Sequence, residues 1–176
     1  SAEDSLILLT NDGILPAAPA GKKVAVIGWH ANSTRALFGG YHAMSMKESS
    51  VGITLSMAGI SVDADAPVAN NSVSDCYPGS DVHKEHPAVE PLVRKSYPGI
   101  HSLLDALRTE CPDAEFVYAE GYPYAGNDES GFAEALEAAK NADIVICTLG
   151  GHYGWNMSST TGEGIDSSVI GLPDCQ

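Results

Sequence analysis

Four short apolar runs divide the chain and predict buried β-strands. They are rich in Val, Ile, Leu or aromatic residues and are bounded by polar residues or Gly: Leu6–Leu9, Val24–Ile27, Phe116–Tyr118 and Ile144–Leu149. A continuous apolar run, rather than strict alternation with polar residues, is typical of a strand in a parallel sheet that helices cover on both faces. The pattern therefore indicates a buried, mostly parallel sheet.

Apolar residues at helical spacing predict two helices between these strands. The first helix follows Pro98, a residue favoured in a first helical turn, and ends before Pro112. Its apolar stripe comprises Ile100, Leu103, Leu104 and Leu107. The second helix covers about 129–141, with Asp128 or Asn127 as its N-cap. Its apolar face comprises Phe132, Ala135, Leu136 and Ala139.

This alternation of strands and helices predicts an α/β fold of right-handed βαβ units, with residues 1–176 forming a single domain. Residues 44–95 interrupt the pattern, because they contain four prolines, many Ser and Asn residues and little periodicity. We expect an irregular insertion there, since structureless loops of that length are rare inside compact domains. Doubly wound sheets usually continue past such a last strand, so we also expect further strands after Gln176.

Composition narrows the possible partners. The 176 residues are 44% hydrophobic, enough to bury a core, and carry 23 Asp and Glu against 9 Lys and Arg, a net charge of −14. This charge repels nucleic acid phosphates and anionic lipids, so we expect neither nucleic acid nor membrane as a partner. No run approaches the roughly 18 apolar residues of a membrane helix.

The four cysteines are widely spaced and form no zinc or disulfide pattern: Cys76, Cys111, Cys147 and Cys175. We expect free thiols, with Cys147 as a small core residue, and hence a cytoplasmic protein, although secretion stays open. The first residues, SAEDSLILL, lack the features of a signal peptide and resemble a start inside a longer protein.

Two loops follow predicted strands at the sheet edge where open α/β folds bind ligands: Gly28–Tyr41 and Gly150–Asp166. The first loop lacks both glycine-rich nucleotide-binding motifs, so a plain strand-to-helix turn with His30 as a polar loop residue is the simpler interpretation. The second loop presents Glu163 between Gly162 and Gly164, which let a carboxylate approach a ligand closely.

Further residues of the second loop strengthen its candidacy as a sugar site. His152, Tyr153 and Trp155 offer rings that can stack on a sugar face. The alternative is a flexible surface loop in which Glu163 is merely solvated. His83 and His86 lie three residues apart without further ligands, so we expect no metal site there, and no motif points to a cofactor.

Five segments, in order, resemble the second domain of family 3 glycoside hydrolases, of the β-glucosidase and β-xylosidase type. They are AEDSLILLTNDGILP, VAVIGWHANSTRALFGGY, SYPGIHSLLDALRTECPDAEFVYAEG, GFAEALEAAKNADIVICTLGG and TTGEGIDSSVIGLPDCQ. The last is similar to the family pattern SGEGxDRxxLxLPGxQ. Together the five segments cover well over half of the chain.

The resemblance implies a three-layer α/β sandwich that lends a loop to the cleft of a retaining, exo-acting β-glycosidase. In such an enzyme a barrel domain, in the same or a separate chain, supplies an Asp nucleophile, and the glutamate of the GEGxD motif is the general acid/base. That role maps onto Glu163, with Asp166 structuring the loop or capping the next helix. A retaining mechanism needs the two carboxyl groups about 5 Å apart. Because the nucleophile lies elsewhere, we expect this chain alone to be inactive.

The chain also departs from the family pattern. Ser167 replaces a frequent Arg, Trp29 a frequent Pro and Thr10 a common Lys, and residues 44–95 match no family segment that we recognise. The choice between β-glucosides and β-xylosides stays open, as does a homo-oligomer. The alternative function is a non-catalytic carbohydrate-binding or scaffolding module; a nucleotide-binding module has only the fold in its favour.

Overall fold

The structure is a computed structural model that describes residues 3–48, 76–154, 157–166 and 170–176. Its sheet contains β1 (Lys23–Ile27), β2 (Glu115–Ala119) and β3 (Ile144–Cys147) in the order β2-β1-β3. All pairings in this sheet are parallel, with Val24 opposite Phe116 on one side and Ile144 on the other. The prediction of an α/β fold with a parallel sheet is confirmed.

Helices cover both faces of the sheet, which gives the three layers of the expected sandwich. The helices are a segment over 43–48 (α1), Val89–Ser96 (α2), Leu103–Glu110 (α3) and Phe132–Lys140 (α4). Helix α3 places Leu104 against Val24 and Val26, whereas α4 places Ala135 against Ile27 on the opposite face. The alternation of side chains along β1 thus supplies both cores.

A third apolar cluster joins α1 and α2. Met44, Val89 and Val93 are fully buried there, and the rings of Phe38 and Tyr97 pack against them. Glu90, in the first turn of α2, accepts hydrogen bonds from the backbone nitrogens of Thr34 and Arg35, at 3.1 and 3.3 Å. Helix α2 therefore anchors the loop that follows β1.

Two predicted elements differ from the structure. The run Leu6–Leu9 is not a buried strand: its side chains are 65–90% exposed, and no described strand pairs with it. An apolar run without a neighbouring strand has no partner for its backbone hydrogen bonds, so it does not form a sheet. Residues 44–95 are not irregular throughout, because α1 reaches 48 and α2 lies within the segment. Residues 49–75 lie outside the described part.

The helix boundaries were also predicted imperfectly. Helix α3 begins at Leu103 rather than near Pro98, because Ser102 and Asp105 form a reciprocal capping box. Helix α4 begins after Gly131, and Asp128 accepts a hydrogen bond from Ser130 N in the preceding turn instead of capping the helix. Cys147, predicted in the core, is exposed at the end of edge strand β3.

Gly28 is the point where the chain leaves β1, and its backbone conformation excludes a side chain. Its φ is +113°, and an added Cβ would lie 2.3 Å from the carbonyl oxygen of Thr148, just past β3. Gly28 therefore permits the close approach of the two loops at the carboxyl edge of the sheet.

We predict that Gly28→Ala lowers the free energy of unfolding by at least about 3 kcal/mol, because it combines positive-φ strain with a backbone clash. Gly13→Ala is a matched control: φ there is +94°, but an added Cβ meets no described atom within 4 Å. We expect a loss of about 1 kcal/mol for that control. Urea denaturation measures both, and equal losses would contradict the close approach.

Candidate functional site

The carboxyl edge of the sheet has a switch point between β1 and β3. The chain leaves β1 towards β2 on one side, and β3 arrives on the other side, so the loops after β1 and β3 start side by side where the direction of the crossovers reverses. These are the two loops that the sequence singles out. The structure brings them together: His30 Nε2 lies 2.8 Å from Gly151 O, and the hydroxyl of Tyr41 donates to Glu163 Oε2.

Glu163 lies on an exposed tight turn of the second loop. The turn follows β5 (Thr161–Gly162), which pairs in parallel with β4 (Tyr153–Gly154). The flanking glycines have positive φ, +147° at Gly162 and +72° at Gly164. A Cβ at Gly162 would lie 1.6 Å from Gly154 O, so the pairing of β4 with β5 requires a glycine there. Asp166 is exposed at the end of this turn.

The predicted sugar-stacking residues fall into different environments. Tyr153 is 45% exposed, and its ring packs over Gly40 of the first loop. His152 is 2% exposed and lies inside the domain, with its ring 5.5 Å from that of Trp29 and 5.1 Å from that of Tyr124. The ring of His152 therefore has no exposed face for a sugar. Trp155 lies outside the described residues.

A buried charged cluster lies beneath the two loops. Arg35 is fully buried; its Nε donates to Glu48 Oε2 at 2.8 Å, and its Nη1 donates to Phe38 O at 2.8 Å. Glu85 and His152 complete the cluster, and Glu85 Oε1 and His152 Nε2 are buried without a hydrogen-bond partner among the described residues. Burial raises the pKa of Glu85 to about 8, and burial next to Arg35 lowers the pKa of His152 to about 3.

The same cluster contains one set of groups that could hold a metal ion. Glu48, Glu85 and His152 each offer a ligand atom, and these atoms lie within 4.8 Å of one another. Arg35 Nη2, however, is 2.7 Å from Glu48 Oε2, so a divalent cation would lie close to a guanidinium and be repelled by it. The arrangement fits an internal ion pair better than a cation site.

The two histidines of the HKEH segment have backbone partners. His86 Nδ1 accepts from Ala88 N at 3.1 Å, just before α2, and His83 N donates to Met157 O at 2.8 Å. Neither residue belongs to the set of possible metal ligands in the described part of the chain. His83 therefore ties its segment to the second loop.

Sequence reasoning missed several residues that hold the loops. The side chain of Gln176 accepts from Gly150 N at 2.7 Å and donates to Gly150 O at 3.0 Å, which fixes the base of the second loop. Glu90 on α2 and Glu48 on α1 hold the first loop, through Thr34 and Arg35 respectively. In the sequence, Gln176 is marked only as the end of the LPDCQ segment and Tyr41 only as the end of the first candidate loop. These positions are a weak indication of the contacts that the two residues make.

The family model of the glycosyl hydrolase family 3 C-terminal domain matches residues 6–176. No curated protein matches the chain. Among the described residues, no helix has the length and apolar character needed to cross a membrane.

We predict that Glu85 makes the stability of the fold fall as the pH rises from about 4.5 to 8. In this window the carboxyl is ionised in the unfolded chain but still protonated in the folded one, so the folded state binds more protons. Glu85→Gln cannot titrate and therefore lacks this pH dependence. The free energy of unfolding of the variant minus that of the native chain is expected to rise with pH by up to about 1.4 kcal/mol per pH unit. Chemical denaturation at pH 5, 6.5 and 8 measures it.

The exposed Glu129 provides the matched Glu→Gln control for the substitution itself. His152 has the opposite effect: because its folded-state pKa is lowered, the free energy of unfolding falls as the pH drops below about 6.5. This effect is present in all variants and cancels when they are compared. A pH-independent difference for Glu85→Gln would contradict the prediction.

Proposed function

This chain belongs to the family of glycosyl hydrolase family 3 C-terminal domains, and from that membership we propose that Glu163 is the general acid/base of a retaining, exo-acting β-glycosidase. Membership implies a partner catalytic domain in the complete enzyme. We propose that this partner is a barrel carrying an Asp nucleophile, and that the substrates are terminal β-D-glucosides or β-D-xylosides. The domain then contributes half of a two-carboxylate site.

One observation carries the proposal: Glu163 projects from a constrained turn at the switch point, where both candidate loops meet. Its side chain is exposed and therefore accessible to a substrate. The chain before it is fixed by the pairing of β4 with β5, and the bridge between Gly162 and Ile165 closes the turn after it. A catalytic carboxyl group has to combine access with a fixed position, because misplacement by about 1 Å can cost 10²-fold in rate. A merely solvated Glu needs no such support.

The proposed chemistry takes two steps. In the first, the Asp of the barrel attacks the anomeric carbon while protonated Glu163 gives its proton to the departing glycosidic oxygen. In the second, the Glu163 carboxylate takes a proton from water, whose oxygen displaces Asp from the anomeric carbon and releases the sugar. The described residues of this chain leave Glu163 open to solvent, so the barrel has to supply the rest of the enclosure.

The ring residues of the loop have separate proposed roles. We propose that Tyr153 and Trp155 contact the sugar, whereas the buried His152 supports the backbone of the adjacent Tyr153. Gly162 and Gly164 hold the turn that carries Glu163, and we propose that Asp166 holds its end.

We predict that Glu163→Gln in the complete enzyme lowers kcat/KM for substrates with poor leaving groups by about 10²–10⁴-fold, because the amide cannot donate the required proton. Substrates with good leaving groups need less protonation, so their first step is expected to suffer less. Steady-state kinetics with aryl glycosides of graded leaving-group acidity measures the difference.

The exposed Glu134 on α4 provides a matched Glu→Gln control that is expected to retain full activity. The 176-residue chain alone is expected to hydrolyse no β-glycoside. Undiminished activity of Glu163→Gln on poor leaving groups would overturn the proposal and favour a carbohydrate-binding or scaffolding role for the domain.

We predict that Trp155→Ala raises KM about 5–30-fold, since loss of a stacked indole removes on the order of 1–2 kcal/mol of contact with the sugar. Trp155→Phe keeps an aromatic ring and is expected to lose less. Equal KM values for both variants and the native enzyme would remove Trp155 from the binding site.

A further inference from the structure

We infer that Tyr41 is a positioning residue for Glu163, holding one carboxylate oxygen so that the other faces the glycosidic bond. This inference rests on the proposed function of Glu163 and adds to it a residue from the opposite loop. It assigns a role to the first candidate loop, which carries no nucleotide-binding motif and for which a plain turn was the simpler interpretation.

The contact itself joins residues that are distant in sequence. The Tyr41 hydroxyl donates to Glu163 Oε2 across 122 positions of the chain. Because only Oε2 is engaged by this bond, Oε1 is the oxygen left to exchange a proton with the substrate or with water. Tyr41 is 77% exposed, so the pair lies at the open mouth of the crevice rather than in the core.

The backbone around Tyr41 is held from two sides, which a positioning role requires. On the side of α1, Ser45 Oγ donates to Gly39 O at 2.6 Å. On the side of the second loop, the Tyr153 ring packs so closely over Gly40 that an added Cβ would lie 2.9 Å from Cε1. Gly40 is buried despite its place in a loop. These contacts place the Tyr41 phenol before any ligand arrives.

The chemistry of the phenol suits both steps of a retaining mechanism. A Tyr hydroxyl is a neutral donor that can bond to a carboxylate without a charge of its own to compete for the substrate. The hydrogen bond to Glu163 raises the pKa of Tyr41, so the phenol stays protonated and remains a donor at neutral and mildly alkaline pH.

The test is Tyr41→Phe in the complete enzyme, compared with Tyr97→Phe as the control. Tyr97 lies under the same loop, with its ring 5.1 Å from that of Phe38 and 5.8 Å from that of His42, and has no part in the proposed site. For Tyr41→Phe we expect kcat to fall about 3–10-fold with little change in KM, because a hydrogen bond to a charged group is lost while the sugar contacts remain.

The dependence on the leaving group separates positioning from a merely structural effect. A residue that positions the general acid matters most where the departing oxygen needs a proton. We expect the loss of kcat/KM in Tyr41→Phe to be largest on aryl glycosides with poor leaving groups and small on those with good ones. Tyr97→Phe is expected to keep native kcat/KM on both. An equal loss on both substrate classes in Tyr41→Phe would overturn the inference.

Failure of this inference is distinguishable from failure of the proposed function. If Glu163→Gln loses activity on poor leaving groups while Tyr41→Phe has native kcat and a native dependence of kcat/KM on the leaving group, Glu163 stands as the acid/base and Tyr41 is not its positioning residue. If Glu163→Gln keeps full activity on those substrates, the proposed function fails and the role of Tyr41 fails with it.

Discussion

Strand β1 hydrogen-bonds to a parallel neighbour on each side, and the geometry of the rest of the domain depends on that double pairing. Its four apolar residues are buried, two towards α3 and two towards α4, so the strand cannot move without opening both cores. With β1 in the middle, the crossovers to β2 and β3 run in opposite directions, and their right-handedness puts α3 and α4 on opposite faces. This order places the starts of the two site loops side by side at the carboxyl edge of the sheet.

The ladder continues into the loops at the carboxyl edge. Thr148 N donates to Ile27 O at 2.8 Å, and Gly28 N donates to Ala119 O at 3.3 Å. The three strands are therefore still hydrogen-bonded to one another where they leave the sheet. The loops therefore begin from fixed points. The contact of Tyr41 with Glu163 is possible because both loops start within this small region and are then held by α2 and by Gln176.

How much the sequence predicts depends on how local the determining interaction is. The three sheet strands are predicted because each apolar run carries its own signal, and Ser102 with Asp105 could have been recognised as a capping box. Leu6–Leu9 has the same composition but no neighbour to pair with. The sequence does not predict helix α2, because this helix buries only Val89 and Val93 and contains Pro91. The proline is tolerated because it lies in the first turn of the helix. For the site, the glycines around Glu163 mark the loop, whereas its partners Tyr41, Arg35 and Gln176 depend on contacts between distant segments that no spacing rule predicts.

The pair Gly154 and Gly162 restricts how the acid/base loop can be diversified. A side chain at position 162 would meet the carbonyl of residue 154 at bonding distance, and one at position 154 would lie 2.1 Å from Ser159 Oγ. In a combinatorial library that randomises residues 152–166, most sequences would thus be unable to form the turn. Keeping both positions as glycine and varying exposed positions such as Thr161 confines the search to sequences that can still present Glu163.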